Sequence, residues 1–250
     1  MKTYKTSDIA QIIGVHPNTV RLYEEYELIP KPERKKNGYR VFTDFHVEQF
    51  KLARTAFEVE VLQNGLRKKA VDIIKLSAKR EFDKSICLAE DYLYQIKKEQ
   101  VNAEEAIAIV KRTLSDTGDT NETDKLFFTR KQVADYLQVT IDTLRNWEMN
   151  GLLSIKRKQN GYRIYTGEDL KRLKVIRSLR CANYSLAAIL RMLKALSRDP
   201  ETNLRIAIDT PRNDEDIVSA CDKLLTSLRH AERNAKRVLI QLKELKKKYQ

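Results

Sequence analysis

Two stretches of this chain repeat apolar residues at alternating steps of three and four. In the first, the positions are Ile86, Ala89, Leu93, Ile96, Gln100, Ala103, Ile107, Val110 and Leu114. In the second they are Ile217, Cys221, Leu224, Leu228, Ala231, Ala235, Val238, Leu242, Leu245 and Tyr249. Each keeps the heptad pattern for about four repeats, the length that marks a coiled-coil helix. The expected seam sets Leu93, Ile96, Ile107 and Val110 against Leu224, Leu228, Val238 and Leu242, with Gln100 as its one polar position in the first helix. Near the start, Ser7 to Ile13 predicts a short helix stopped at Gly14, and His16-Pro17 starts another that runs to about Tyr26. Proline suits that first turn because its missing N–H has no helical partner there. Two short helices around a tight glycine turn make a helix-turn-helix, whose second helix can enter a major groove.

That early pattern occurs twice. At a spacing of 124 residues (143 less 19), Ala10, Val15, Thr19, Arg21, Glu24 and Leu28 recur as Ala134, Val139, Thr143, Arg145, Glu148 and Leu152. Tyr23 faces Trp147 in this register. One residue is then lost, and Arg34-Lys35, Asn37 to Arg40, Thr43, Lys51 and Arg54 recur as Arg157-Lys158, Asn160 to Arg163, Thr166, Lys174 and Arg177. In both copies an Asn-Gly pair stands between two arms able to extend. Such a pair predicts a β-hairpin closed by a type I′ turn, with both central residues at positive φ. The bases and tyrosines interleaved on these hairpins suit phosphate contacts.

Composition narrows the class. The 250 residues contain only 7 Gly and 5 Pro, too few for a sandwich or barrel of many turns. The reading is therefore mainly α, with two winged helix-turn-helix domains, each carrying a small hairpin, and two long heptad helices in an antiparallel coiled coil. Expected boundaries are 1–75 for the first head and 80–114 for the first long helix. A linker at 115–126 follows, then the second head at 127–197, a short loop after Arg198, and the second long helix at 214–249.

Charge turns the partner towards polyanions: Lys and Arg number 48 against 35 acidic residues, a net +13. Five bases and one acid lie in Lys31–Arg40, and four bases with no acid in Lys156–Arg163, so the two hairpins hold 8 of those charges. A membrane surface fits that distribution less well than DNA. No apolar run approaches the ~20 residues of a membrane span, and the N-terminus lacks a signal-peptide pattern. The 3 cysteines, Cys87, Cys181 and Cys221, form no Cys-x-x-Cys pair and suit a reducing cytoplasm. No phosphate loop, zinc-protease motif or nucleophile elbow is present, and nothing argues for an enzyme.

The paired motifs resemble the MerR family of bacterial winged-helix transcription regulators. The resemblance rests on Val15…Thr19-Val20-Arg21-Leu22-Tyr23-Glu24 with Glu27-Leu28-Ile29, and on Val139…Thr143-Leu144-Arg145-Asn146-Trp147-Glu148 with Gly151-Leu152-Leu153. The family's wing appears as Asn37–Thr43 and Asn160–Thr166, and a helical pair follows the second at Glu168–Arg180 and Ser185–Leu196. After the first wing, Thr55–Lys69 departs from the family pattern. The larger departure is in number. Family members carry one head per chain and pair as homodimers, whereas this chain carries two.

The resemblance implies recognition helices in adjacent major grooves of double-stranded DNA, with wings on the flanking backbone. In head one it assigns His16, Asn18, Thr19, Arg21 and Tyr23, with Arg34, Lys35, Tyr39 and Arg40 from the wing. In head two it assigns Thr140, Asp142, Thr143, Arg145 and Trp147, with Arg157, Lys158, Tyr162 and Arg163. Arg21 and Arg145 read guanine or hold phosphate; Asn18 can pair with adenine. Asp142 accepts from cytosine or caps its helix, the second being favoured, and Trp147 packs inside the head or donates its N–H.

Promoter bending or untwisting, with RNA polymerase as a partner, is implied by the same likeness, as is a nucleoid-associated place in the cytoplasm. With a head at each end of two antiparallel helices, an intramolecular pseudo-dimer is expected over a homodimer, with two unlike half-sites. The rival readings are an architectural or excisionase-like DNA-binding protein and a protein-interaction scaffold. No metal, cofactor or effector is expected: Cys221 on the seam reads as a core thiol, and Cys87 and Cys181 as structural.

Overall fold

A computed structural model describes residues 2–58, 65–115, 127–155, 161, 163–211 and 220–250. The chain divides into two compact units. Unit one comprises Met1–Lys98 with Ser227–Gln250, and unit two Glu99–Thr226.

Unit one opens with β1 (Thr3–Tyr4), α1 (Thr6–Ile13) and α2 (Pro17–Glu25). The wing strands β2 (Glu33–Arg34) and β3 (Arg40–Thr43) come next, followed by α3 (Asp44–Ala56), α4 (Leu66–Ala78) and α5 (Phe82–Ser115). The three strands form one antiparallel sheet in the order β1-β3-β2, pairing Tyr4 with Phe42 and Arg34 with Arg40. Ile9, Ala10, Val20, Ile29, Phe42, Val47 and Phe50 form its core, and Tyr23 packs against them. The expected type I′ turn is not formed. Gly38 lies at φ 81°, but Asn37 does not have positive φ. Instead the Gly38 N–H donates to the Lys35 carbonyl (2.8 Å) and the Lys35 N–H to the Tyr39 carbonyl (2.9 Å). The loop is thus of the three-residue kind, in which one glycine alone takes the left-handed conformation.

Unit two holds α6 (Arg130–Leu137), α7 (Ile141–Met149), α8 (Gly167–Cys181), α9 (Leu186–Arg198) and α10 (Leu204–Asp209). A 3-10 turn (Ala220–Lys223) leads into α11 (Leu224–Tyr249). A single antiparallel bridge, Phe128 with Tyr165, stands where head one pairs Tyr4 with Phe42. The core repeats as well: Val133, Ala134, Leu144, Leu153 and Tyr165 are buried at the places of Ile9, Ala10, Val20, Ile29 and Phe42. The loop expected after Arg198 contains α10, a correction with a visible cause. Arg191 donates to the carbonyls of Ala207 (3.1 Å), Ile208 (2.9 Å) and Asp222 (2.6 Å), which ties that segment down. Asp209 in turn accepts from the N–H groups of Leu225 (2.9 Å) and Thr226 (3.1 Å), capping α11 from a distance.

The long helices are shared between the units. Within unit one, Lys246 meets Asp83, and Lys243 lies 3.9 Å from Glu90. As α5 ascends in sequence its partners on α11 descend, so these portions run antiparallel. Asn234 donates to the Thr55 carbonyl on α3 (2.5 Å), and Phe45 meets both Phe82 (centroids 6.2 Å) and Tyr249 (4.8 Å). Within unit two, the Tyr184 hydroxyl donates to the Ala103 carbonyl (3.5 Å) and Arg205 pairs with Glu104. Each head is thus packed by a long helix that begins after the other head.

On α11, Leu224, Leu228, Val238 and Leu242 are buried. On α5, Ile96 and Val110 are buried while Leu93 and Ile107 are half-buried, with Tyr92 and Ala106 taking the inner places. The buried face is broader than a two-helix seam because other elements also meet it; Ser85, for instance, donates to the Ile73 carbonyl on α4 (2.8 Å).

Candidate nucleic-acid interface

The recognition helices α2 and α7 start in the same way. In α2 the His16 Nδ1 accepts from the Asn18 N–H (3.2 Å), and in α7 the Thr140 hydroxyl accepts from the Thr143 N–H (3.0 Å). Capping therefore falls to Thr140 and not to Asp142, which stays exposed in the first turn. The preceding turns close alike: Val15 N–H donates to Ala10 (2.9 Å) and Val139 to Ala134 (3.0 Å). Thr19 and Thr143 are half-buried, and the Thr140 and Thr143 hydroxyls bond each other at 2.8 Å.

Arg21 and Arg145 are both exposed on the outer faces of these helices. Arg21 donates to Asn18 Oδ1 (3.3 Å), which occupies one of that oxygen's two lone pairs and leaves the other, with both N–H groups, for a base. Arg145 makes no hydrogen bond or ion pair among the described residues. Tyr23 and Trp147 require correction as DNA contacts. The Tyr23 ring stacks on Phe50 at 5.0 Å and 20°, and Trp147 is only 4% exposed. Both rings face the core because i, i+3 spacing puts them on the same side as Val20 and Leu144.

The wings are held by a residue that the sequence reading left out. Glu24 accepts from Arg40 Nε (2.5 Å) and Arg34 Nη2 (3.3 Å), so both arms of wing one are tied to α2. Arg40 is thereby engaged within the protein, whereas Lys35 and Tyr39 project freely, Tyr39 being 71% exposed. In head two Glu148 accepts from Arg163 Nε (2.6 Å), from Arg130 (3.0 Å to each oxygen) and from the Tyr165 hydroxyl (2.6 Å). Burial, then the bond to Glu148, pushes the Tyr165 phenol above its usual range. Arg163 is likewise bound inside its head. Arg157, Lys158, Tyr162 and the second Asn-Gly turn at Asn160 lie outside the described residues, as do 116–126 of the expected linker and Ile217.

Behind the interface one side chain fixes the turn after each recognition helix. Gln49 donates to the carbonyls of Leu28 (3.1 Å) and Ile74 (2.9 Å), and Arg172 donates to that of Leu152 (2.6 Å). Open grooves run beside both helices: about 710 Å³ lined by Arg21, Lys31 and Arg40, and about 680 Å³ lined by Asn146, Arg177 and Arg180. The sequence reading missed Arg177 and Arg180 as groove walls, although their spacing of three on a helix already put them on one face. Cys221 is half-buried, not the fully buried core thiol expected, and Cys87 and Cys181 are exposed. Among the described residues no group of three or more His, Cys, Asp or Glu side chains is placed to hold a metal.

Residues 5–42 match the family model described as MerR family regulatory protein, and residues 128–196 match that of the MerR HTH family regulatory protein. The chain is 42% identical over 53 residues to the HTH-type transcriptional regulator CueR of Escherichia coli, covering 21% of this chain and 39% of CueR. It is 39% identical over 71 residues to the regulator ZntR of Escherichia coli, covering 28% of this chain and 50% of ZntR. It is 29% identical over 90 residues to the mercuric resistance operon regulatory protein of Bacillus cereus, covering 35% of this chain and 68% of that protein. The chain thus spans from about two-fifths to two-thirds of the length of these relatives. No solved structure matches it significantly.

Proposed function

Since residues 5–42 and 128–196 each match a MerR-family model, we propose that the chain carries two such heads in tandem and is a sequence-specific regulator of transcription that binds double-stranded DNA as a single-chain pseudo-dimer. The observation that carries the DNA reading is the pair Arg21 and Arg145, exposed at one and the same place on two recognition helices, with a basic wing described beside the first. The reciprocal packing of α11 on head one and α5 on head two supports the pseudo-dimer. That exchange supplies within one polypeptide what a homodimer supplies with two. Different residues at the helix starts, His16-Pro17-Asn18 and Thr140-Ile141-Asp142, favour unlike half-sites.

In this reading the wings grip flanking backbone through Lys35, Tyr39 and their counterparts in the sequence, and Arg34 and Arg40, pinned to Glu24, hold the first wing against its helix. Bending or untwisting of promoter DNA, and work alongside RNA polymerase, follow from the family. The site is in the cytoplasm, on the nucleoid, and the role is binding without catalysis. Among the described residues no helix is long and apolar enough to cross a membrane.

Two measurements test it. Sedimentation of the free protein is expected to give a species near 29.2 kDa, and a species of twice that mass refutes the pseudo-dimer. Binding to its selected site is expected to weaken steeply with salt, since several phosphates are neutralised. A salt-independent interaction would leave the scaffold reading in its place.

A further inference from the structure

The exposed apolar side chains on the two recognition helices do not coincide. At about 100° per residue, positions four apart lie about 40° apart around a helix. Ile141 and Met149 therefore flank Arg145 on its own face, one turn before and one after, and they are 46% and 77% exposed. Head one has Pro17 and Glu25 at these places. Its exposed apolar residues are Leu22 and Tyr26, about 100° and 140° around the helix from Arg21. Head two has Asn146 and Asn150 there, the Asn150 amide donating back to the Asn146 carbonyl at 2.8 Å. The same arginine thus has two exposed, large apolar neighbours in one head, and a half-buried proline and a glutamate in the other.

Ile141 occupies the first position of α7, where a recognition helix meets base edges. Neither the core nor the cap uses it: Leu144 and Trp147 fill the interior and Thr140 caps the helix. In the major groove the one apolar feature of a base pair is the 5-methyl group of thymine. We propose that Ile141, with Met149 one turn beyond Arg145, reads thymine methyl groups, so that head two selects a thymine-bearing half-site and head one does not. The inference rests on the DNA-binding reading above and adds the chemistry by which the two half-sites differ.

The test uses the full chain and a randomised duplex library. From the selected duplex, each thymine is replaced in turn by deoxyuridine, which removes only the methyl group. At one or more positions in the half-site of head two, wild-type affinity is expected to fall about fourfold, the equivalent of ~0.8 kcal/mol for one methyl-sized group. The double variant Ile141→Ser, Met149→Gln is expected to bind the thymine and deoxyuridine duplexes equally, with unchanged Trp147 fluorescence showing an intact head. Leu22→Ser in head one is expected to leave the deoxyuridine effect as it is. The proposal is overturned if no replacement matters in a duplex that is otherwise bound specifically, or if the double variant keeps the effect. Selection of no duplex at all overturns the DNA-binding reading itself.

Discussion

The two heads place glycine at opposite ends of the same motif. In the turn before the recognition helix, head one has Gly14 at φ 72°, and head two has Gln138 at φ 52°. After that helix the roles reverse, with Glu27 at φ 58° in head one and Gly151 at φ 75° in head two. The left-handed conformation is therefore imposed by the motif at both points, whichever residue occupies them. It is enforced by the hydrogen bonds of Leu28 to Tyr23 (2.9 Å) and Leu152 to Trp147 (3.0 Å), with those of Val15 and Val139 at the other end. Within this motif each head carries one side chain that its backbone disfavours.

The wing anchors differ more. Glu24 serves two arginines from its own wing, whereas Glu148 serves Arg163, Arg130 and Tyr165. The additional partners in head two stand where head one has Thr6 and Phe42. Removing the carboxylate with Glu148→Ala should thus be the most damaging change, about 3 kcal/mol, because it strands a half-buried guanidinium and a buried phenol. The matching Glu24→Ala, with more exposed partners, should cost about 1–2 kcal/mol. Trp147 is the only tryptophan, so its fluorescence during denaturant unfolding reports head two alone. Equal losses in the two heads would contradict the contrast drawn here.

Gln49→Leu should cost about 2 kcal/mol, since it strands the Leu28 and Ile74 carbonyls and the Ser77 hydroxyl that donates to Gln49 at 2.8 Å. Amide exchange of unit one is the appropriate readout. Smaller, and of opposite sign, are Gln138→Gly and Glu27→Gly. Each relieves a left-handed residue and should stabilise its own head by about 0.5–1 kcal/mol, the relief exceeding glycine's added chain entropy. A variant that destabilised its head would show a role for that side chain beyond backbone geometry.

The smallest difference concerns pH. Thr43 N–H donates to His46 Nδ1 (3.0 Å) at the start of α3, and Thr166 N–H to Asp169 Oδ2 (2.8 Å) at the start of α8. Burial, aided by nearby Arg80, holds the His46 imidazole below its ordinary value, against the opposing pull of the Pro30 carbonyl and Glu33. The unfolded chain thus takes up this proton more readily than the folded one. The contribution of neutral His46 is complete above about pH 6.5 and is lost as pH falls through the lower folded value. Head one should loosen on mild acidification while His46→Gln removes that sensitivity, as tracked by amide exchange.

Much of this was legible because repetition exposes what a single copy hides. The two registers, Pro17, the Asn-Gly pairs and the heptads locate both helix-turn-helix pairs, the first wing and both long helices. The inward turn of Tyr23 and Trp147 was less legible, since amphipathic rings suit a core as well as a groove. Glu24 and Glu148 were matched between the heads, yet nothing local says which arginines they hold, because those partners lie 10 to 18 residues away. Tyr92 and Ala106 displaced Leu93 and Ile107 from the inner face of α5 for a related reason. A heptad reading assumes one partner helix, and α5 has more neighbours than that.

The exchange of long helices also sets a schedule for synthesis. Asn234 reaches Thr55, and Arg237 reaches Glu58, across 179 residues of chain. Head one therefore emerges from the ribosome long before the segment that completes its unit. At ~5–20 residues per second, some 10–40 seconds separate the two events. During that interval Phe45 lacks Tyr249 and the surface of α3 lies open, while head two already has the second half of α5. The first head to be made is the last to be finished.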